Sequence, residues 1–293
     1  MLRLQFKNVI NSFLKPLGAE ITRIGSASGI KTQQAHDPSC SFVEEEKLRN
    51  MLINELSEIA RIFFSERLNG IMRSKLNYTL EVEKFMTLYS SRPLTENTGG
   101  SGFHNAFWLW LFVRSLNPNL IVESGVWKGH TTWLLEQACP KAKIVGFDIN
   151  LSRLEYSGGN AEFYEHDWSE YRFPNVDPER SFVFFDCHVN HAKRIHEARD
   201  RGFRHLIFDD NPPAHKLYAY GLPGIPTVNM IWNGLVVQSN TIVWKWQGKE
   251  ISYQVDPEEM AKARAIMKKH EMFPDVGGIT RYGGFSFLTY VQI

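Results

Sequence analysis

Residues 121–132 read Ile-Val-Glu-Ser-Gly-Val-Trp-Lys-Gly-His-Thr-Thr: an apolar run, an acidic residue, a glycine turn and a helix start. Leu120–Glu123 has the pattern of a buried strand, and Gly125 and Gly129 follow where the backbone must turn tightly into a helix. Open α/β sheets place their ligand crevice outside such strand ends, and a glycine there lets backbone approach a ligand closely. Ordinary βα turns also contain glycine, so the surroundings decide the reading.

Working outward, short apolar runs at Lys143–Asp148, Ala161–Tyr164, Ser181–Asp186 and His205–Asp209 predict four more strands, and of the five, counted from Leu120–Glu123, the first, second and fourth are followed by helices. That alternation predicts an α/β fold built on a Rossmann-like, doubly wound parallel sheet. Thr241–Trp246 and Phe285–Gln292 read as further strands, the latter closing the chain after Gly283-Gly284. Asp148 ends the second strand, where an acceptor holds a ribose diol across the first turn. The dinucleotide pattern G-x-G-x-x-G is absent, and the chain has E-x-G-x-x-x-G from Glu123 to Gly129 instead.

Toward the N-terminus, Phe6, Val9, Ile10, Phe13, Leu14 and Leu17 recur at helical spacing among Arg3, Lys7 and Lys15. This basic amphipathic helix is expected to dock on its own domain or on a twin subunit; an anionic membrane surface is the competing partner. A Gly/Ser/Gln/Pro-rich linker spans 25–41, and Ser41 with Glu44 makes a capping box. Leu48, Met51, Leu52, Leu56, Ile59 and Ile62 then predict one helix, and 78–90 a second before Pro93. The expected division is a helical region over 1–98, for dimerisation or as a substrate lid, and a ligand-binding domain over 99–293. Gly99, Gly100 and Gly102 separate them, and an aromatic helix follows around Ala106–Leu116.

The 293 residues are 43% hydrophobic and 22% charged, which excludes disorder and coiled coil as descriptions of the whole. Lys+Arg 33 against Asp+Glu 32 leaves a net charge of +1, no field for a polyphosphate backbone, so a small molecule is the expected partner and nucleic acid is not. Cys40, Cys139 and Cys187 form no C-x-x-C pair and read as reduced thiols in a cytoplasmic protein. No apolar run approaches the roughly 20 residues of a membrane span, and no signal core is legible.

A second group of residues lies at the fourth and fifth strand ends, in FFDCHVNH (184–191) and FDDN (208–211). Asp186, Asp209 and Asp210 would place three carboxylates on the crevice side of the sheet, where they repel one another unless a divalent cation joins them. Oxygen ligands suit Mg²⁺. The competing reading has one aspartate capping a helix and another paired with Arg194 or Arg204. His188 and His191 follow at a helix start, where either could serve as a general base or as a plain cap residue. In loop 211–226, His215, Tyr218 and Tyr220 are candidate substrate contacts, against buried aromatic packing. Gly99–His104 is a candidate cover for the cofactor, against a plain connector.

Together these motifs resemble the class I S-adenosylmethionine-dependent methyltransferases over about residues 99–293. The resemblance implies a closing antiparallel strand pair and S-adenosylmethionine as cofactor. Glu123 and Gly125 would lie beside its methionine part in the turn that also holds Trp127 and Gly129. Asp148 would bind the ribose, and His166-Asp167 would lie near the adenine. Trp127 stands where many members carry glycine, a departure seen in a metal-using subgroup. The second half resembles that subgroup, the cephalosporin-hydroxylase-like and macrolide-sugar O-methyltransferases, which implies Asp186, Asp209 and Asp210 as Mg²⁺ ligands. The subgroup's Asp-x-x-His is broken here by Val189, so His191, or failing that His188, would be the base. The implied activity is metal-assisted O-methylation of a small hydroxylated molecule, a sugar or glycosylated metabolite. The rivals are an iron-dependent oxygenase using Asp186, His188 and another histidine, and a catalytically silent protein of the same fold.

Overall fold

The structure, a computed structural model, describes residues 46–220, 223–234, 240–282 and 285–293. The helix expected over 2–17, the linker at 25–41, the Ser41/Glu44 capping box and the Gly283-Gly284 turn lie outside the described residues. Helix α1 (Glu46–Glu66) buries Leu52, Ile53, Leu56, Ala60, Phe63 and Phe64, one face of a 3.6-residue period. Helix α2 (Tyr78–Ser90) is capped by Asn77, whose Oδ1 accepts from the Leu80 N–H at 3.1 Å. Helix α3 (Phe103–Leu116) is apolar around nearly its whole circumference, so it must be enclosed. Phe63 and Phe85 meet Trp108 and Phe107 on one side at 5.6 Å each, and Phe182 of the sheet meets Phe112 on the other at 5.4 Å. The helices before residue 98 therefore share a core with the sheet.

The sheet begins with β1 (Leu120–Ser124), helix α4 (His130–Ala138), β2 (Lys143–Phe147) and β3 (Glu162–Tyr164). It continues with β4 (Ser181–Phe185), helix α5 (His191–Asp200) and β5 (His205–Phe208). After the short helix α6 (Val228–Trp232), β6 (Thr241–Trp246) and β7 (Lys249–Gln254) pair as a separate antiparallel ribbon. Helix α7 (Pro257–Ile266), β8 (Lys269–Met272), the turn-length helix α8 (Gly277–Thr280) and β9 (Thr289–Gln292) complete the described chain. The main sheet runs β3-β2-β1-β4-β5-β9-β8; the first five strands are parallel, and β9 is antiparallel to both β5 and β8. This is a Rossmann-like doubly wound sheet closed by an antiparallel strand pair, as expected.

Side chains divide between the two faces with the period of two that a strand imposes. Ile121, Ile144, Phe182, Phe184, Ile207 and Tyr290 join the core shared with α1–α4. Val122, Val145, Val183, Phe185, Leu206 and Phe208 join the core beneath α5–α7. Both faces are covered, so the parallel strands read as continuous apolar runs and all five point their C-termini at one edge.

Three expectations need correction. No α-helix follows β2: the chain makes a 3₁₀ turn at Leu151–Arg153, capped by Asn150. Gly158-Gly159 weakens any helix there, and Glu136 of α4 accepts from the Asn160 and Ala161 N–H groups at 2.6 and 2.8 Å, fixing the segment as a loop. Thr241–Trp246 is a strand, but of the separate ribbon. The antiparallel partner of β9 is instead Lys-His-Glu-Met at 269–272, a polar edge strand with no apolar alternation to announce it. Among the described residues no helix is long and apolar enough to cross a membrane.

Candidate active site at the strand ends

A cavity of about 440 Å³ opens at the C-terminal edge of β1, β2 and β4, within the range of small-molecule sites. Its wall includes Gly125, Trp127, Asp148, Ile149 and His166 from the segments after β1, β2 and β3, and Asp186, Cys187 and His188 from the segment after β4. Gly125 has φ +98, and a Cβ there would lie 2.4 Å from the Asp186 carbonyl oxygen, so only glycine lets the β1 turn pass the β4 tip. Gly129, with φ +86, is likewise pressed against the Tyr156 carbonyl.

Asp148 performs a task the sequence did not reveal. Its Oδ2 accepts from the N–H groups of Val126 and Trp127, both at 3.0 Å, and its Oδ1 from Asn150 N–H at 3.0 Å. An ionised carboxylate offers about four acceptor sites, so Asp148 pins the glycine turn and keeps capacity for one hydroxyl. Trp127 adopts φ +52 and carries the Arg153 guanidinium 4.6 Å above its ring. Glu123 does not line the cavity. It is fully buried beneath the turn, with Thr132 Oγ1 donating to its Oε2 and no partner for Oε1. Burial, with the charges of Asp148 and Glu136 adding to it, pushes its carboxyl up to about 8 against the pull of Thr132.

Of the His166-Asp167 pair, His166 faces the cavity with Nδ1 2.9 Å from the Asp167 carbonyl oxygen. The Asp167 carboxylate, which also lines the wall, is already engaged. Arg194, fully buried on α5, grips it through both terminal nitrogens and also donates to Glu197 at 2.7 Å. Burial opposes ionisation of Asp167, but Arg194 and Ser169 override it and hold the carboxyl well below its ordinary range. The partner of Arg194 is thus Asp167 and none of the three strand-tip aspartates. Arg204 pairs with Glu179.

Asp186, Asp209 and Asp210 do converge, but not equivalently. One ligand atom each from Asp186, His188 and Asp210 lies within 4.8 Å of the others. Asp209 is outside that trio. Its Oδ2 accepts from Asn105 Nδ2 at 2.6 Å and Ser101 Oγ at 3.3 Å, and its Oδ1 from Asp210 N–H at 2.7 Å. Burial raises all three carboxyls, and the charges of Asp209 and Asp210 add to it at Asp186; burial and the charge of Asp209 push Asp210 up to about 8.

His191, the favoured base, is a core residue. It is fully buried, packs on Phe208 at 4.6 Å and accepts the Val228 N–H at Nδ1, 3.1 Å away. Burial, with His188 and Arg194 nearby, lowers it to about 3. It has no free lone pair for a substrate proton, and among the described residues the two-histidine triad of an oxygenase is not assembled. His188, half-exposed with φ +53, faces the cavity with Nδ1 3.6 Å from Asp210 Oδ2.

In the loop, His215 and Tyr218 are exposed, whereas the Tyr220 hydroxyl donates to the Phe285 carbonyl at 3.3 Å. Burial, then the charges of Asp210 and Asp209, raise the Tyr220 phenol, which places it beside the acidic group. Sequence reading missed Ile149, 79% exposed on the cavity lip directly after Asp148. An isoleucine left in solvent at a strand end was the available signal.

No family model matches the chain, and no curated protein matches it. Among solved structures, "cmcI-N160 SAH" aligns at 19% identity and TM-score 0.33 over 38% of this chain and 62% of its own length, so the chain spans less than two thirds of it. The SAH-bound methyltransferase PaMTH1 of Podospora anserina aligns at 14% identity and TM-score 0.41, over 92% of this chain and 99% of that one. The SAM-bound O-methyltransferase TomG of Streptomyces achromogenes aligns at 13% identity and TM-score 0.43, over 79% and 94%. At these values function is read from the residues of this chain.

Proposed function

We propose that this protein is an S-adenosylmethionine-dependent O-methyltransferase for a hydroxyl of a small molecule, a sugar or glycosylated metabolite, with a divalent cation beside the cofactor cavity. The carrying observation is a cavity bordered by an acidic cluster. On its wall a glycine turn, Asp148 with spare acceptor capacity, Ile149 and His166 suit a nucleoside. Beside it, Asp186 and Asp210 converge with His188 and have no lysine or arginine partner among the described residues. The 99–293 segment would bind the cofactor, with the preceding helices buttressing α3, and a reducing cytoplasmic setting agrees with the free thiols Cys139 and Cys187.

In this reading Asp148 positions the turn and takes a ribose hydroxyl, Ile149 covers an apolar ring face, and His166 lines the adenine end. Bound S-adenosylmethionine supplies an electrophilic methyl group. Asp186, Asp210 and His188 would hold the cation, whose chemistry is to acidify a coordinated hydroxyl. The residues fit such an ion, because two carboxyls and an imidazole converge while no lysine or arginine among the described residues pairs with Asp186 or Asp210. The walls fix the acceptor oxygen against the methyl carbon, and alignment of that kind carries much of the rate. Calorimetry tests the reading: S-adenosylhomocysteine is expected to bind the purified protein, and Asp148→Asn to weaken it. A protein that binds neither S-adenosylmethionine nor S-adenosylhomocysteine would refute it.

A further inference from the structure

We infer that the cation site uses the imidazole of His188 in place of the Asp209 carboxylate, and that it therefore selects a first-row transition ion such as Mn²⁺ or Co²⁺ over Mg²⁺. The inference rests on the cation role proposed above.

Three observations carry it. Asp209 lies outside the converging trio and is tied to the protein, because Asn105, Ser101 and the Asp210 N–H all donate to its two oxygens, and Asn105 is itself held by Ser286 Oγ at 2.9 Å. Turning Asp209 toward an ion would leave the buried Asn105 amide without its acceptor. His188 fills the vacated side. Its backbone takes φ +53, a left-handed conformation that histidine enters more readily than most residues, and its ring faces the cavity beside Asp210. The 3.6 Å from His188 Nδ1 to Asp210 Oδ2 is too long for a hydrogen bond. It is close to the separation of two ligands that share one ion at bond lengths of about 2.1 Å, roughly 3 to 3.5 Å.

The donor set decides the ion. Mg²⁺ prefers oxygen ligands and keeps its waters, whereas an imidazole nitrogen in the donor set favours first-row divalent ions over it, Mn²⁺ least and Co²⁺ more. A neutral imidazole that coordinates through one nitrogen carries its proton on the other, so in this arrangement His188 is a ligand and not the acceptor of a substrate proton.

The test uses the full chain without bound metal, titrated calorimetrically with MnCl₂, CoCl₂ and MgCl₂. Mn²⁺ and Co²⁺ are expected to bind roughly tenfold or more tighter than Mg²⁺. Pulsed electron paramagnetic resonance of the Mn²⁺ form is expected to show nitrogen coupling. His188→Asp should abolish that coupling and narrow the preference, whereas Asp209→Asn should keep it. Equal affinity for Mg²⁺ and Mn²⁺, a wild-type spectrum without nitrogen coupling, or coupling that survives in His188→Asp would overturn the inference. Because the spectrum is read on the wild-type protein, a misfolded variant does not blunt the test. Parallel S-adenosylhomocysteine titrations separate the two readings. Cofactor binding without metal binding overturns this inference and the cation role it rests on while the methyltransferase reading stands, and nitrogen-coupled Mn²⁺ without cofactor binding supports it while the methyltransferase reading falls.

Discussion

Asp167 and Asp186 stand at the same edge of one sheet, on the same cavity wall, with opposite fates. Asp167 follows β3 and is met by a fully buried arginine, so it stays ionised far into acid. Asp186 follows β4, is buried and is met by two further aspartates, so its carboxyl rises. Residue type and position on the fold are therefore not enough to assign a role. What separates structure from function here is whether the chain provides the opposite charge itself or leaves it to be provided from outside.

The sharpest way to break that comparison is Arg194→Met, which removes the internal counter-charge and leaves Asp167 and Glu197 uncompensated. Removing one partner of a buried ion pair costs about 3 kcal/mol or more, and denaturant unfolding should show a loss of that size. An unchanged midpoint would mean that the Asp167 end is held by something other than charge. Gly125→Ala should cost less, about 2 kcal/mol, from the left-handed φ and the Cβ driven against the Asp186 carbonyl. Because the clash falls on the β4 tip, S-adenosylhomocysteine affinity measured by calorimetry should fall by more than the loss of stability implies.

The pH dependence of stability separates the two kinds of carboxyl by sign. The depressed Asp167 stabilises the fold above the ordinary carboxylate range, and that contribution is lost as pH falls through its folded value. Glu123 behaves oppositely. With a folded value of about 8 against an ordinary 4.5, its contribution is complete in acid and is lost as pH rises through 8. Glu123→Gln keeps an acceptor for Thr132 and should flatten the decline of Tm between about pH 4.5 and 8 while leaving the limb below that window unchanged. A decline across that window identical to wild type would show that Glu123 is ionised in the fold.

The sheet was legible because both its faces are buried, which writes each parallel strand as an apolar run ending in a polar residue. The polar edge strand β8 was not, since a strand with one solvent face and four residues leaves no pattern. The site was legible as positions and not as partners. Asp148, Asp186 and Asp210 could be placed at strand ends by counting. That Arg194 would choose Asp167, and Asn105 would occupy Asp209, depends on contacts separated by 27 and 104 residues in the chain. His191 misled for the same reason. It lies two residues beyond the position the motif reserves for histidine, at a helix start, and α5 turns it inward onto Phe208 and the Val228 N–H. His191→Phe should accordingly lower stability by about 1–2 kcal/mol through the orphaned N–H, leaving the pH profile of turnover unmoved. A shifted profile would restore His191 as a base.

The smallest expected effect tests whether the nucleoside wall and the acidic cluster beside it are independent. Trp127 lines the nucleoside wall, and the Arg153 guanidinium caps its ring from outside at 4.6 Å. A cation over an indole at a partly exposed site is worth about 0.5–1 kcal/mol, so Arg153→Ala should weaken S-adenosylhomocysteine by about two- to fivefold. Metal titrations of the same variant should superimpose on those of the wild type, since Arg153 has no contact with Asp186, His188 or Asp210. If Mn²⁺ affinity moved together with cofactor affinity, the glycine turn would be transmitting strain to the β4 tip through the contact of Gly125 with the Asp186 carbonyl. The turn and the β4 tip would then form one coupled unit, since that contact leaves no room for a methyl group between them.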